Sequence, residues 1–179
     1  LTGAHRGQSG NNLFGQTKTV MAHGIYLDDD ERALVKKMEL MLAHCPDSNL
    51  NVRSGIMPVR SYLDMGIRVG LGSDIGGGHK IGLNEAMVRA IQLSKILNLA
   101  NGELNPLSVS EAFYMGTKSG GSFFGKTGSF EKDFWFDALV LEDDVMIANR
   151  YSPKDRLEKF IHTGDDRNIC ARYVEGEKL

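Results

Sequence analysis

Apolar residues along this chain follow two spacings. Short unbroken runs alternate with stretches in which apolar positions recur every three or four residues, the mark of buried strands set between amphipathic helices. The run Thr17-Lys-Thr-Val-Met-Ala-His23-Gly24 predicts a strand ending in a histidine and a glycine. Asp28 to Lys37 predicts a helix, with aspartates at its start and Lys36 and Lys37 in its last turn, as the helix macrodipole prefers. Leu40 to His44 reads as another short buried strand, stopped by Pro46 and closed by a polar turn over Cys45 to Asn49. Ile56 to Met65 has helical spacing and a C-terminal stop at Gly66. From Gly66 to Gly78 a small-residue apolar run ends in Asp74 and a glycine-rich turn, the pattern of a buried parallel strand carrying one carboxylate at its end. Leu83 to Leu99, apolar at 83, 87, 91, 96 and 97, predicts a helix ended by Asn101-Gly102. Pro106 to Phe124 predicts another, capped by Ser108 with Glu111 three residues on. Gly128 to Glu142 has strand composition through Phe134, Trp135, Phe136, Leu139 and Val140. Tyr151 to His162 predicts a helix, and Arg172 to Lys178 a closing hairpin or edge strand. Leu1 to Gly15 has no sustained period and reads as loop or frayed helix.

The alternation predicts an α/β fold whose strands each carry a polar residue at the carboxyl end, where the chemistry of parallel sheets and barrels sits. Three such strand units are visible, and a complete eight-stranded barrel needs about 250 residues, more than the 179 here. Lys and Arg number 21 against 23 Asp and Glu, a formal charge of -2, with no long run of one sign. That balance argues against nucleic acid as a partner. The apolar runs are too short for a membrane span and no charged-then-apolar leader opens the chain, so a cytoplasmic protein is the expectation. Its two cysteines, Cys45 and Cys170, lie far apart and form no CxxC pair, which argues against a disulfide framework or a cysteine-rich zinc site. The first residue is Leu1 rather than Met, which leaves open that the sequence is part of a longer chain.

Desolvating an ionised carboxylate at the mouth of a buried strand costs several kcal/mol, so Asp74 is expected to meet a metal, a cation or several N–H donors. One structural alternative is a carboxylate that caps the Gly76 to Gly78 turn through backbone N–H groups. A phosphate loop fails on spacing, because Gly78 is followed by His79, Lys80 and Ile81 rather than Gly-Lys-Ser/Thr, and a GxGxxG fails at Ile75. His23, at the end of a strand parallel to the one carrying Asp74, is expected to face the same cleft. His44 holds the analogous place on the intervening strand, where the following turn gives it a structural explanation as well. His5, His79 and His162 lack such context and read as solvated, and Gly164 to Asn168 reads as a surface loop. A histidine and an aspartate are nitrogen and oxygen ligands suited to zinc or another borderline divalent ion. Two protein ligands are too few for a catalytic zinc, which needs three, and neither HxH nor HExxH occurs in the chain.

Four blocks occur together in order: Thr19-Val-Met-Ala-His23-Gly24, Ala43-His44-Cys45-Pro46-Asp47-Ser48-Asn49-Leu50, Leu71-Gly-Ser-Asp74-Ile-Gly-Gly77 and Gly164-Asp-Asp-Arg-Asn168. From about Thr17 to the end, the chain resembles the carboxyl-terminal part of the guanine deaminases, a branch of the amidohydrolase superfamily of metal-dependent hydrolases. The His-Cys-Pro-x-Ser-Asn block is shared widely among related deaminases and chlorohydrolases, whereas Asp74-x-Gly-Gly paired with Gly-Asp-Asp-Arg-Asn is more specific. The resemblance implies an α/β fold: residues 1–125 as the last three strand units of a partial TIM-like (β/α)8 barrel, and 126–179 as a small β-rich composite domain with one helix. It implies zinc-dependent hydrolytic deamination of guanine to xanthine and ammonia, with one zinc ion, a small-molecule purine substrate and a homodimer at full length. The family's zinc-ligating, proton-accepting Asp falls on Asp74. The histidine that hydrogen-bonds the attacking hydroxide or the developing tetrahedral centre falls on His23, and the resemblance places both residues against the substrate. The family's HxH pair, His-x-x-Glu and guanine-gripping Arg and Gln are expected upstream of Leu1, so the chain alone is expected to be inactive. Gly128-Ser-Phe-Glu131 matches the small domain, while Asp133 stands where the family has a turn glycine, a change tolerated because Asp enters left-handed turns. Two rivals remain, a relative acting on another purine or heterocycle and a non-catalytic scaffold fragment.

Overall fold

The computed structural model describes residues 18–102, 105–142 and 151–179. Leu1 to Gly15, expected as loop or frayed helix, lies outside the described residues, as do His5 and Thr17. Strand β1 (Val20–Ala22), helix α1 (Asp29–Lys37), β2 (Met41–His44), the short helices α2 (Pro46–Asn51) and α3 (Val59–Asp64), and β3 (Arg68–Leu71) follow in order. The three strands form one parallel sheet, β1-β2-β3, with Ala22 opposite Ala43 and Ala43 opposite Gly70. All three carboxyl ends therefore lie along one edge of the sheet.

Local chemistry explains the helix bounds. Asp28 caps α1 by accepting from the Glu31 N–H at 2.8 Å, while Glu31 accepts from the Asp28 N–H at 3.1 Å, a capping box followed by three acids in the first turn. Gly66, at φ +74°, lets the chain leave α3 and enter β3. Helix α4 (Leu83–Asn101) stops at Gly102, which takes a left-handed conformation, and α5 (Val109–Tyr114) starts from the Ser108–Glu111 capping box. It runs straight into a π-helical turn over Met115–Ser119.

One face of the parallel sheet and the surrounding helices enclose the core. Leu42 and Val69 pack there with Val35, Met57, Val59, Tyr62, Ala90, Ile91 and Met115, all nearly or fully removed from water. Each such Val, Leu, Ile or Met side chain contributes about 1.5–3 kcal/mol by burial. Helix α6 (Pro153–Thr163) adds Ile161 to this core, and the Asn84 amide donates to the Gly164 carbonyl at 2.8 Å, which fixes the start of α4 against the end of α6.

A second, antiparallel sheet joins β4 (Ala138–Leu141), β5 (Ile169–Val174) and β6 (Glu177–Lys178), so the expected closing hairpin forms. The strand expected over 128–142 shrinks to Ala138–Leu141. Phe134, Trp135 and Phe136 lie before it in a turn region, with Asp133 at φ +68°. Aromatic β-propensity misleads here because the three side chains line no pleated face; Phe136 instead packs on Phe130 and Tyr173. Among the described residues no helix is long and apolar enough to cross a membrane.

Candidate functional site

His23 and Asp74 emerge from the ends of the two outer strands and meet over the middle one. His23 is the first residue past β1, and its N–H still donates to the Ala43 carbonyl at 2.9 Å, so the ladder holds its backbone. Its φ of +71° is costly for a residue with a Cβ and turns the ring out of the strand direction. The next carbonyl, that of Gly24, accepts the hydroxyl of the fully buried Tyr62 at 2.5 Å. Asp74 lies three residues past β3, also left-handed at φ +46°. Two non-glycine residues with strained backbones thus face each other, as they do where function fixes geometry.

The His23 Nε2 lies 3.9 Å from Asp74 Oδ2, and both side chains are a little over 40% exposed. The expectation of a buried carboxylate is therefore corrected: β3 is buried, but the turn carries Asp74 out to its rim. Nor does the carboxylate cap the glycine turn. That turn closes through backbone alone, with the Gly78 N–H donating to the Asp74 carbonyl at 2.7 Å and the Gly76 N–H to the Gly78 carbonyl at 3.0 Å.

The polar turn expected over Cys45 to Asn49 is the start of helix α2 instead, with Pro46 in its first turn. Proline ends a strand, but its fixed φ and missing N–H equally suit the first position of a helix. This helix touches both outer loops. Asn49, fully buried, contacts the His23 Nδ1 through its Oδ1 at 2.8 Å, and Asn51 donates to the Gly77 carbonyl at 2.8 Å. Ser48 fills the space beside Gly77, where an added Cβ would meet its hydroxyl at 2.4 Å. Asp47 accepts from the Arg89 Nε at 2.9 Å and ties α2 to α4.

Cys45 is the residue that sequence reasoning missed. Its sulfur, a His23 ring nitrogen and an Asp74 carboxylate oxygen all lie within 4.8 Å of one another. The signal was its place at the end of β2, the same criterion that selected His23 and Asp74. Burial, and then the Asp74 charge, push its thiol up to about 11, so the sulfur is protonated at neutral pH.

His44 does not join them. Two residues on from Leu42 and so on the same face of β2, it is buried, with neither ring nitrogen hydrogen-bonded among the described residues. Burial, aided by the charge of His23, lowers it to about 4 and keeps it neutral. His79 and His162 are exposed, as expected. Gly164 to Asn168 is a short 3-10 turn in which Asp165 accepts from the Arg167 backbone and guanidinium, and that pairing lowers the carboxyl.

The family model "Amidohydrolase family" matches residues 4–179, nearly the whole chain. The chain belongs to the amidohydrolase family. Within that family it is 34% identical over 176 residues to a guanine deaminase of Dictyostelium discoideum, covering 94% of this chain and 39% of that protein. The human guanine deaminase is 33% identical over 181 residues, with 94% of this chain and 40% of the relative covered. A solved guanine deaminase of C. acetobutylicum, with guanine bound in its active site, superposes with a TM-score of 0.90 at 52% identity, over 93% of this chain and 40% of that one. The chain thus spans about two fifths of the length of the relatives it matches.

Proposed function

We propose that this chain is the carboxyl-terminal part of a zinc-dependent guanine deaminase, supplying His23 and Asp74 to a site completed by residues outside it. The observation that carries this reading is the meeting of His23, Asp74 and Cys45 at the carboxyl end of a parallel sheet, in an amidohydrolase chain half identical to a guanine deaminase solved with guanine bound.

The parallel sheet then represents the last three strands of a TIM-like barrel. Residues 1–125 form the barrel part and 126–179 a small β-rich domain, with α6 as the element that reaches back to the barrel core. The whole protein is read as a cytoplasmic homodimer acting on a small purine.

An imidazole nitrogen and a carboxylate oxygen within reach of one point suit a single zinc ion, with Asp74 as the ligand. Zinc would supply there a water acidified to a pKa of about 7. Asp74 would take one proton as the water's oxygen attacks the carbon bearing the exocyclic amine; that proton passes to the departing nitrogen, which leaves as ammonia, and the water's second proton passes to the neighbouring ring nitrogen, leaving xanthine. His23 hydrogen-bonds the attacking oxygen through Nε2 and holds it on the line of attack. Cys45, a neutral thiol behind these groups, supplies bulk and low polarity.

The full-length protein, purified with zinc, is expected to convert guanine to xanthine and ammonia, and His23→Ala is expected to lower kcat at least about a hundredfold, the weight of a group at the reacting atoms. Conversion of another purine, a pterin or a triazine in place of guanine assigns the chain to a sister activity. Failure on every ring, with the protein folded and zinc present, removes the catalytic reading and leaves a scaffold.

A further inference from the structure

Among the side chains that surround the site, Asn49 makes one contact that its surroundings do not otherwise explain. It sits in α2, fully buried, in a place where packing alone favours an apolar residue of the same size. Its Nδ2 is buried with no hydrogen-bond partner among the described residues, which costs free energy that an apolar side chain would save. Its one side-chain hydrogen bond among the described residues is the 2.8 Å contact between Oδ1 and the Nδ1 of His23.

We infer that Asn49 is the positioning residue of His23, accepting the Nδ1 proton and so keeping the Nε2 of the ring turned to Asp74. A carboxamide oxygen only accepts, so this contact selects the ring form that carries its proton on Nδ1 and leaves the Nε2 lone pair free. Nε2 can then accept the O–H of a water poised between His23 and Asp74, whose Oδ2 lies 3.9 Å away. A flexible side chain could not hold this form as well. Asn49 is fixed by the helix, which starts two residues past β2, and that helix is tied down by the Asp47–Arg89 pair. The His23 N–H is held at the same time by the Ala43 carbonyl, and the next carbonyl, that of Gly24, by the Tyr62 hydroxyl. Ring and acceptor are thus held through two different elements, the end of β1 and helix α2.

The inference rests on the deaminase reading, and its test is built to separate the two. In the zinc-loaded full-length protein, Asn49→Leu keeps the volume and removes the acceptor, whereas Asn49→Asp keeps an acceptor. Asn49→Leu is expected to lower kcat about 10- to 100-fold, as loss of an orienting partner does, with KM and zinc content held and the unfolding temperature unchanged or raised. Asn49→Asp is expected to recover most of that loss. A crystal structure of Asn49→Leu is expected to show the His23 ring rotated away from Asp74, and Asn49→Ser replaces the leucine variant if the latter fails to fold. A folded, zinc-loaded Asn49→Leu with kcat within about twofold of the parent, or with its ring in place, overturns the inference. So does an aspartate variant as impaired as the leucine one. If the parent itself fails on guanine, the deaminase reading falls, and the ring position in the two crystal structures still decides the role of Asn49.

Discussion

His44 shows how one residue's surroundings can reverse the meaning of its position. It ends a strand beside those that present His23 and Asp74, yet its place in the alternation turns it into the core. There the folded protein holds it at about 4, below its ordinary 6.5. Between those values the unfolded chain binds a proton that the folded chain refuses, so stability falls as pH drops through that window and is intact above 6.5. Denaturant unfolding of the full-length protein is expected to show about 2 kcal/mol less stability at pH 5 than at pH 7 from this group. His44→Leu is expected to flatten that part of the profile, and an unchanged slope contradicts the assignment. The sequence placed His44 at the right strand end but could not say which way it faced, because a period of two fixes the face only once the register of the neighbours is known. His23 and Asp74 were legible because residues past a strand's carboxyl end escape that alternation. Asn49 was not, since its role depends on a helix that Pro46 concealed.

Among the elements, helix α2 carries more of the site than its six residues suggest. It contributes the acceptor for His23, the amide that holds Gly77 and the hydroxyl packed against that glycine, so it braces both loops that bear the candidate residues. The turn it braces is tight. A Cβ on Gly78 would stand 2.0 Å from the Ser73 carbonyl oxygen, backbone that cannot step aside without moving Asp74. Gly78→Ala is therefore expected to lower zinc affinity in the full-length protein at least about tenfold, the cost of disturbing a ligand's support, while the far-UV spectrum is unchanged. Titration with a competing chelator measures it, and parental affinity contradicts it. The strand and helix order was readable from hydrophobic spacing, and the Ser108 cap from its glutamate three residues on. The turn holding Phe134, Trp135 and Phe136 was not, because aromatic residues favour strands by composition while Asp133 and its neighbours set the backbone.

On the scale of the whole molecule, the parallel sheet ends on both sides in strands with an unpaired edge among the described residues, β1 and β3. Val20 is 40% exposed on one of them, and Trp135, Phe130 and Leu139 lie more than half exposed elsewhere. Open edges and uncovered apolar surface invite pairing with another chain. The 179 residues on their own are expected to self-associate, which sedimentation measures; a cooperative monomer contradicts this. Two proposed catalytic residues and a protonated thiol do not complete a zinc site, so the same chain alone is expected neither to hold zinc tightly nor to form xanthine. The zinc content of the full-length protein, measured in the parent and in Asp74→Ala after equal dialysis, tests the role of Asp74 most directly. About one zinc per chain in the parent and almost none in the variant, as the loss of a first ligand requires, is the predicted result. A variant that keeps its zinc and its rate of guanine deamination would contradict the central claim, that Asp74 beside His23 is this chain's share of a metal-dependent active site.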